Sequence, residues 1–317
     1  MENILIHIGY HKTGTTWLQH ELFKAENFTF QPLSLHNRAG DLARHFIYGA
    51  DNYLHNPFED REQEIRKNLA AILTKSSDLA KDKTWVMSYE RLSGSPHCGG
   101  FDAPIIARRL KKIFPKGKIL IVIREQRSFL LSSYFQYLAT LGTHSLEQYL
   151  NTAYDTKIPN FSPHHVNYLP LIKHYLELFG RENVLVLPYE FFRADKQAFI
   201  QRLGDFLNKK IDVSTARFEH YRNVKKYHFT LYHFRWLHLF LGRTSLNNHS
   251  ILANRFSRTI GRFFQKMLFK FIPKSWNQRT QIKLQTQVNQ WVGDRYQANN
   301  RELASLLDLD LGQYGYF

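Results

Sequence analysis

The chain has 317 residues, and its 43 lysines and arginines against 27 acids give a formal net charge of +16. Such a balance points to polyanions as partners: nucleic acid, an anionic membrane face or an acidic glycan. The single cysteine, Cys98, excludes an intrachain disulfide and suits a reducing compartment. No apolar run approaches the ~20 residues of a membrane span, and the first strand starts too early for a signal peptide. A cytoplasmic chain is therefore expected.

Ile4-Leu5-Ile6-His7-Ile8 is a short β-branched run, read as a buried strand. It leads into "GYHKTGTTWLQ", and Thr15 to Phe23 reads as a helix that the threonines can cap. A strand, a glycine loop and a helix start together form an anion site, because free N–H groups and the positive dipole end share one concavity. The Walker A spacing is met at Gly9, Gly14 and Thr16, but Thr15 stands at the lysine position and Lys12 lies inside the loop instead.

Further strands are expected near 84–88, 118–123 and 184–188. The run Lys118 to Ile123 is of buried parallel type and ends in Arg124, where a magnesium–nucleotide site wants aspartate. That favours a nucleotide held by protein cations alone. Strands alternating with helical patterns predict an α/β fold of three layers, with a central parallel sheet between helices. With no linker or repeat, residues 1–317 read as one domain. Among sixteen histidines, His20 and the pair His164-His165 lack partners at metal spacing, and no metal site is expected.

Two of these segments resemble one family. "GYHKTGTTWLQ" is similar to the 5′-phosphosulfate loop of sulfotransferases that use 3′-phosphoadenosine-5′-phosphosulfate (PAPS). "IVIREQRSFLLSSYFQY" is similar to their 3′-phosphate motif, an arginine at a strand end with a serine eight residues on: Arg124 and Ser132. Val184 to Leu207 and the tail "NNRELASLLDLDLGQYGYF" extend the likeness to roughly residues 1–210 plus the C-terminus.

The resemblance implies transfer of a sulfuryl group from PAPS to a hydroxyl or amine, leaving adenosine 3′,5′-bisphosphate, without a metal. Lys12 would meet the 5′-phosphate and the bridging oxygen, surrounded by Thr13, Gly14, Thr15 and Thr16. Glu90, just past the strand in "TWVMSYERLSG", would take the acceptor proton, with His11 as the next candidate. Arg222, Lys225 or Lys226 would close over the 3′-phosphate. Family members of the Golgi are anchored by a span, so this chain resembles the bacterial type.

The acceptor is expected to be a small molecule or glycan, itself anionic in one reading, with a carbohydrate or glycolipid hydroxyl favoured. Its pocket is assigned to 25–60, 140–170 and part of 225–290, where Phe28, Phe30, Tyr48, Tyr53, Tyr154 and Phe161 offer stacking faces and His36 and His45 also fall. Residues 225–290 are basic and aromatic; Phe263, Phe264, Met267, Leu268 and Phe271, with Arg262, Lys266 and Lys270, form a helix suited to packing inward or to peripheral contact with an anionic inner membrane face. No nucleic-acid module is legible. Two other classes keep some of these features: a P-loop nucleotide kinase with ATP and magnesium, and a non-catalytic basic protein that binds glycan or membrane.

Overall fold

The apolar runs become neighbours in one sheet. The computed structural model describes residues 3–24, 26–35, 42–47, 57–75, 82–151, 161–219, 228–240 and 272–317. Strands β1 (Ile4–His7), β2 (Phe30–Leu35), β3 (Thr84–Ser88), β4 (Lys118–Ile123) and β5 (Val184–Pro188) are all parallel, in the order β2-β3-β1-β4-β5. The central strand β1 pairs with β3 through Ile4↔Trp85 to His7↔Ser88, and with β4 through Leu5↔Lys118 to His7↔Leu120. After β1 the chain turns to one side of the sheet, and after β3 it crosses to the other. The loops leaving β1 and β4 therefore diverge, which is where open parallel sheets bind ligands.

Alternation along the strands feeds two cores. Ile4, Ile6, Ile119, Ile121 and Ile123 face the thicker layer, built from α2 (Arg44–Ile47), α3 (Pro57–Lys75), α4 (Ala103–Ile113), α5 (Gln126–Ala139), α6 (Leu146–Leu150) and α7 (Tyr168–Phe179). Leu5, Leu120 and Val122 face the thinner layer. That layer holds α1 (Thr15–Trp17), which continues as a π-helical turn over Leu18–Leu22, with α8 (Tyr189–Ala194) and α9 (Lys196–Leu207). Helix α10 (His228–His233) packs on α5, as does α11 (Lys274–Val292), while α12 (Gln297–Leu307) packs on α7. Asn300 of α12 donates to Gln126 Oε1 (3.1 Å) and to the Tyr316 carbonyl (2.6 Å), tying the C-terminal tail to the start of α5.

The four expected strands form, and β2 is an addition. Its Gln31, Pro32 and Ser34 break the apolar pattern, which an edge strand tolerates, and its register shifts between Pro32 and Ser34. The threonine caps are corrected: Gly14 occupies the cap position of α1 and no side chain caps it. Two aromatics assigned to the acceptor pocket are core residues instead. Phe30 is fully buried against Phe23, and Phe161 stacks on Tyr149, because both sit where layers meet; Phe28 remains exposed. Tyr48, Tyr53, Tyr154, His36, Arg222, Lys225, Lys226 and the basic stretch 241–271 lie outside the described residues. Among the described residues, no helix is long and apolar enough to cross a membrane.

Candidate active site

The loop after β1 is held from three sides. It begins as an extension of the sheet, with Tyr10 N donating to the Val122 carbonyl and Val122 N to the Gly9 carbonyl, both at 2.7 Å. Beneath it, Ser88 Oγ shares a hydrogen bond with His7 Nδ1 (2.8 Å) and accepts one from Gln19 Nε2 (3.1 Å), joining β1, β3 and the helix after the loop. This network is buried, and desolvation pushes the His7 imidazole down to about 3, so it stays neutral. On the outer side, Gly14 has φ +82, and a β-carbon there would lie 2.9 Å from the Phe192 ring of α8.

Within the loop, the hydroxyls of Thr13 and Thr15 donate back to the Tyr10 carbonyl. The backbone N–H groups of Thr13 to Thr16 have no acceptor among the described residues, which is the arrangement that receives an anion. Lys12 is exposed and adopts φ 64, while Thr16 is also exposed.

Arg124 reaches the loop from the end of β4. Its Nη1 donates to the Lys12 carbonyl (3.0 Å), its Nε donates to Ser128 Oγ (2.9 Å), and its guanidinium lies over the Tyr189 ring at 5.1 Å. Tyr168 OH fixes the Arg124 carbonyl from behind at 2.6 Å. Ser132, the serine expected as its companion, stands one turn beyond Ser128 on the same face of α5, as four-residue spacing requires. Glu125 caps α5, accepting from Arg127 N and Ser128 N, both at 2.8 Å. Glu190 accepts from Glu125 N (3.1 Å) and Tyr316 OH (3.2 Å), and burial raises its carboxyl above the ordinary range.

Glu90 starts the 3₁₀ turn Glu90–Ser93 directly after β3. It is half-buried, with Oε2 shielded from solvent. A β-carbon on Gly9 would meet the Glu90 Cα at 2.9 Å, so this turn lies against the loop. His11 is held neutral, well below its usual value, first by burial and then by His165, His97, Arg91 and Lys12. The fold thus brings Lys12, Thr13 to Thr16, His11, Glu90 and Arg124 to the carboxyl ends of three adjacent strands. His45 lies on α2, which packs against the turn that carries Glu90.

Sequence reasoning missed His7, Arg91, His97, His165, Ser128 and Glu190. The pair His164-His165 has no partner at metal spacing, and nothing in the sequence around Glu90 singles out Arg91. A cavity of about 610 Å³, lined by Ile200, Gly204, Lys209, Ile211 and Phe218 among others, lies against α9. The end of α9 meets Lys118, the first residue of β4, so this cavity belongs to the amino end of the sheet.

No curated protein matches the chain. Among solved structures the chain is similar to a sulfotransferase from Alicyclobacillus acidocaldarius, at 18% identity over 75% of this chain and 94% of that one, with a TM-score of 0.47. It is also similar to the sulfotransferase domain from the curacin biosynthetic pathway (15% identity, 67% and 76% covered, TM-score 0.38). A third is the sulfotransferase domain from the Synechococcus PCC 7002 olefin synthase (14%, 66% and 74%, TM-score 0.38). The family model described as the sulfotransferase domain matches residues 2–266, and on that match this chain belongs to the sulfotransferase family, transferases of the sulfuryl group.

Proposed function

We propose that the chain moves a sulfuryl group from PAPS to a hydroxyl of a carbohydrate or glycolipid, with adenosine 3′,5′-bisphosphate as the other product. The observation that carries this reading is the meeting of three strand ends: Lys12 after β1, Glu90 after β3 and Arg124 after β4, with Arg124 bonded to the Lys12 carbonyl at 3.0 Å. The donor set suits a nucleotide with two phosphate positions. The uncommitted N–H groups of Thr13 to Thr16, with the Lys12 ammonium, fit the 5′-phosphosulfate. The guanidinium of Arg124 and the Ser128 and Ser132 hydroxyls fit the 3′-phosphate.

In the transfer, the acceptor oxygen forms a bond to sulfur as the bond from sulfur to the phosphate oxygen breaks. The Glu90 carboxylate takes the proton released from the acceptor hydroxyl. Lys12 and the loop N–H groups stabilise the electron pair left on the phosphate oxygen.

The test is calorimetry with adenosine 3′,5′-bisphosphate against ATP, with and without magnesium, followed by transfer of labelled sulfate from PAPS. Lys12→Ala should lower turnover and loosen the nucleotide. Glu90→Gln should leave nucleotide affinity unchanged and lower turnover by about 10²-fold or more. Preference for ATP with magnesium would replace this reading with a nucleotide kinase, and a fully active Glu90→Gln would move the base to another group.

A further inference from the structure

Residues Arg124 to Arg127, leading from β4 into α5, are each tied to a distant part of the chain. The Arg124 carbonyl accepts from Tyr168 OH at 2.6 Å, and Glu125 N donates to Glu190 Oε1 at 3.1 Å. The Gln126 amide exchanges hydrogen bonds with that of Asn300, at 2.8 and 3.1 Å. Arg127 Nη2 donates to the Gly293 carbonyl at 2.9 Å. Tyr316 completes the set from both its ends. Its carbonyl accepts from Asn300 Nδ2 at 2.6 Å, and its hydroxyl donates to Glu190 Oε2 at 3.2 Å. The bonds close a ring through Glu125, Gln126, Asn300, Tyr316 and Glu190, and Tyr316 is only 2% exposed within it.

This ring holds a carboxylate beside Arg124. Tyr189, the residue before Glu190, has its ring 5.1 Å from the Arg124 guanidinium. Glu125, the residue after Arg124, gives its N–H to Glu190. The Arg124 charge favours the Glu190 carboxylate, against the larger effect of burial. Yet the guanidinium donates to Ser128 Oγ and the Lys12 carbonyl, and each Glu190 oxygen has a donor of its own. An arginine forked onto a carboxylate has spent the two parallel N–H groups that a phosphate would take. Glu190 is therefore the internal competitor for the phosphate, and its bonds keep it occupied.

We propose that Glu190 and Tyr316 are positioning residues for the 3′-phosphate of the donor: the Tyr316 hydroxyl holds the Glu190 carboxylate in place, so that the Arg124 fork stays open. This rests on the sulfuryl-transfer reading above and its donor assignment. Tyr316 acts through Glu190 and Arg124, so its effect is confined to nucleotides that carry a 3′-phosphate. The gain is one of preorganisation, since the arginine need not first be freed from an internal partner.

The test is calorimetry with adenosine 3′,5′-bisphosphate and adenosine 5′-monophosphate, and wild type should prefer the bisphosphate. Tyr316→Phe removes one hydroxyl and keeps the buried ring. It should weaken the bisphosphate about three- to tenfold, the worth of one hydrogen bond, and leave the monophosphate unchanged. Adding Glu190→Gln to Tyr316→Phe replaces the freed carboxylate with a neutral amide, a weaker partner for a guanidinium. The bisphosphate should then return to within about twofold of wild type. Glu190→Gln alone should bind the bisphosphate at least as tightly as wild type. Full affinity in Tyr316→Phe, no recovery in the double variant, a loss in Glu190→Gln alone, or equal losses for both nucleotides would each overturn the positioning role. A wild type that does not distinguish the two nucleotides would instead overturn the donor reading.

Discussion

Gly9 and Glu90 are in backbone contact: a β-carbon on Gly9 would lie 2.9 Å from the Glu90 Cα and 3.0 Å from its Cβ. The phosphosulfate-type loop and the turn bearing the proposed base therefore share one surface, and a shift in either moves the other.

Gly9→Ala tests that contact. At φ +91 an alanine is strained whatever the space, and the clash is with backbone, which cannot rotate away. The strain should cost about 1–3 kcal/mol of stability. Displacing Glu90 by as little as ~1 Å should lower turnover by up to about 10²-fold. Thermal unfolding and initial rates measure the two effects, and a variant as stable and active as wild type would show that the turn does not lean on the loop.

Arg124 is oriented by Ser128, while Ser132 waits a turn further along α5. Arg124→Ala should weaken adenosine 3′,5′-bisphosphate by roughly 10- to 100-fold. Ser132→Ala should cost several-fold if its hydroxyl meets the 3′-phosphate, and Ser128→Ala less, since it acts through the arginine. Adenosine 5′-monophosphate, which has no 3′-phosphate, should be nearly indifferent to all three. Titrations with both nucleotides decide the matter; equal losses for both would make Arg124 a structural residue.

Acid should unfold the protein through its buried histidines. His7 and His165 are lowered to about 3 and His97 to about 4, all mainly by desolvation. With folded values below the unfolded one near 6.5, the unfolded chain binds more protons as the pH falls. Their full contribution to stability is thus present above pH ~6.5 and is lost as the pH drops toward 3–4, by up to about 1.4 kcal/mol per pH unit for each ring. Urea midpoints measured from pH 7 to pH 4.5 should fall steadily, and His165→Gln should flatten the slope. An unchanged slope in that variant would mean that His165 is solvated in solution.

Much of the fold is local and so was readable. Four strands are short, mainly apolar runs of parallel type, and their burial on both faces leaves little freedom in assigning them. The edge strand β2 escaped because Pro32 and Ser34 obey no strand period, and its existence depends on pairing with β3. Lys12 and Arg124 are visible in the sequence as cations just past strands, whereas Glu90 is implied only by the resemblance to sulfotransferases; the carboxyl ends of adjacent parallel strands bring all three to one edge of the sheet.

What the residue order alone determined is therefore four strands of the sheet, the glycine loop between β1 and α1 and the cations placed around it, because these depend on periodicity and on spacing within single segments. Only the tertiary structure decided which groups pack together. His11, His97 and His165 come from three segments, and nothing in their spacing relates them. His165 packs against Tyr10 and Gly100 and His97 against Tyr149, and burial holds both rings neutral. Desolvation and pairing are properties of packed neighbours, and neighbours distant in the chain are known only once it has folded.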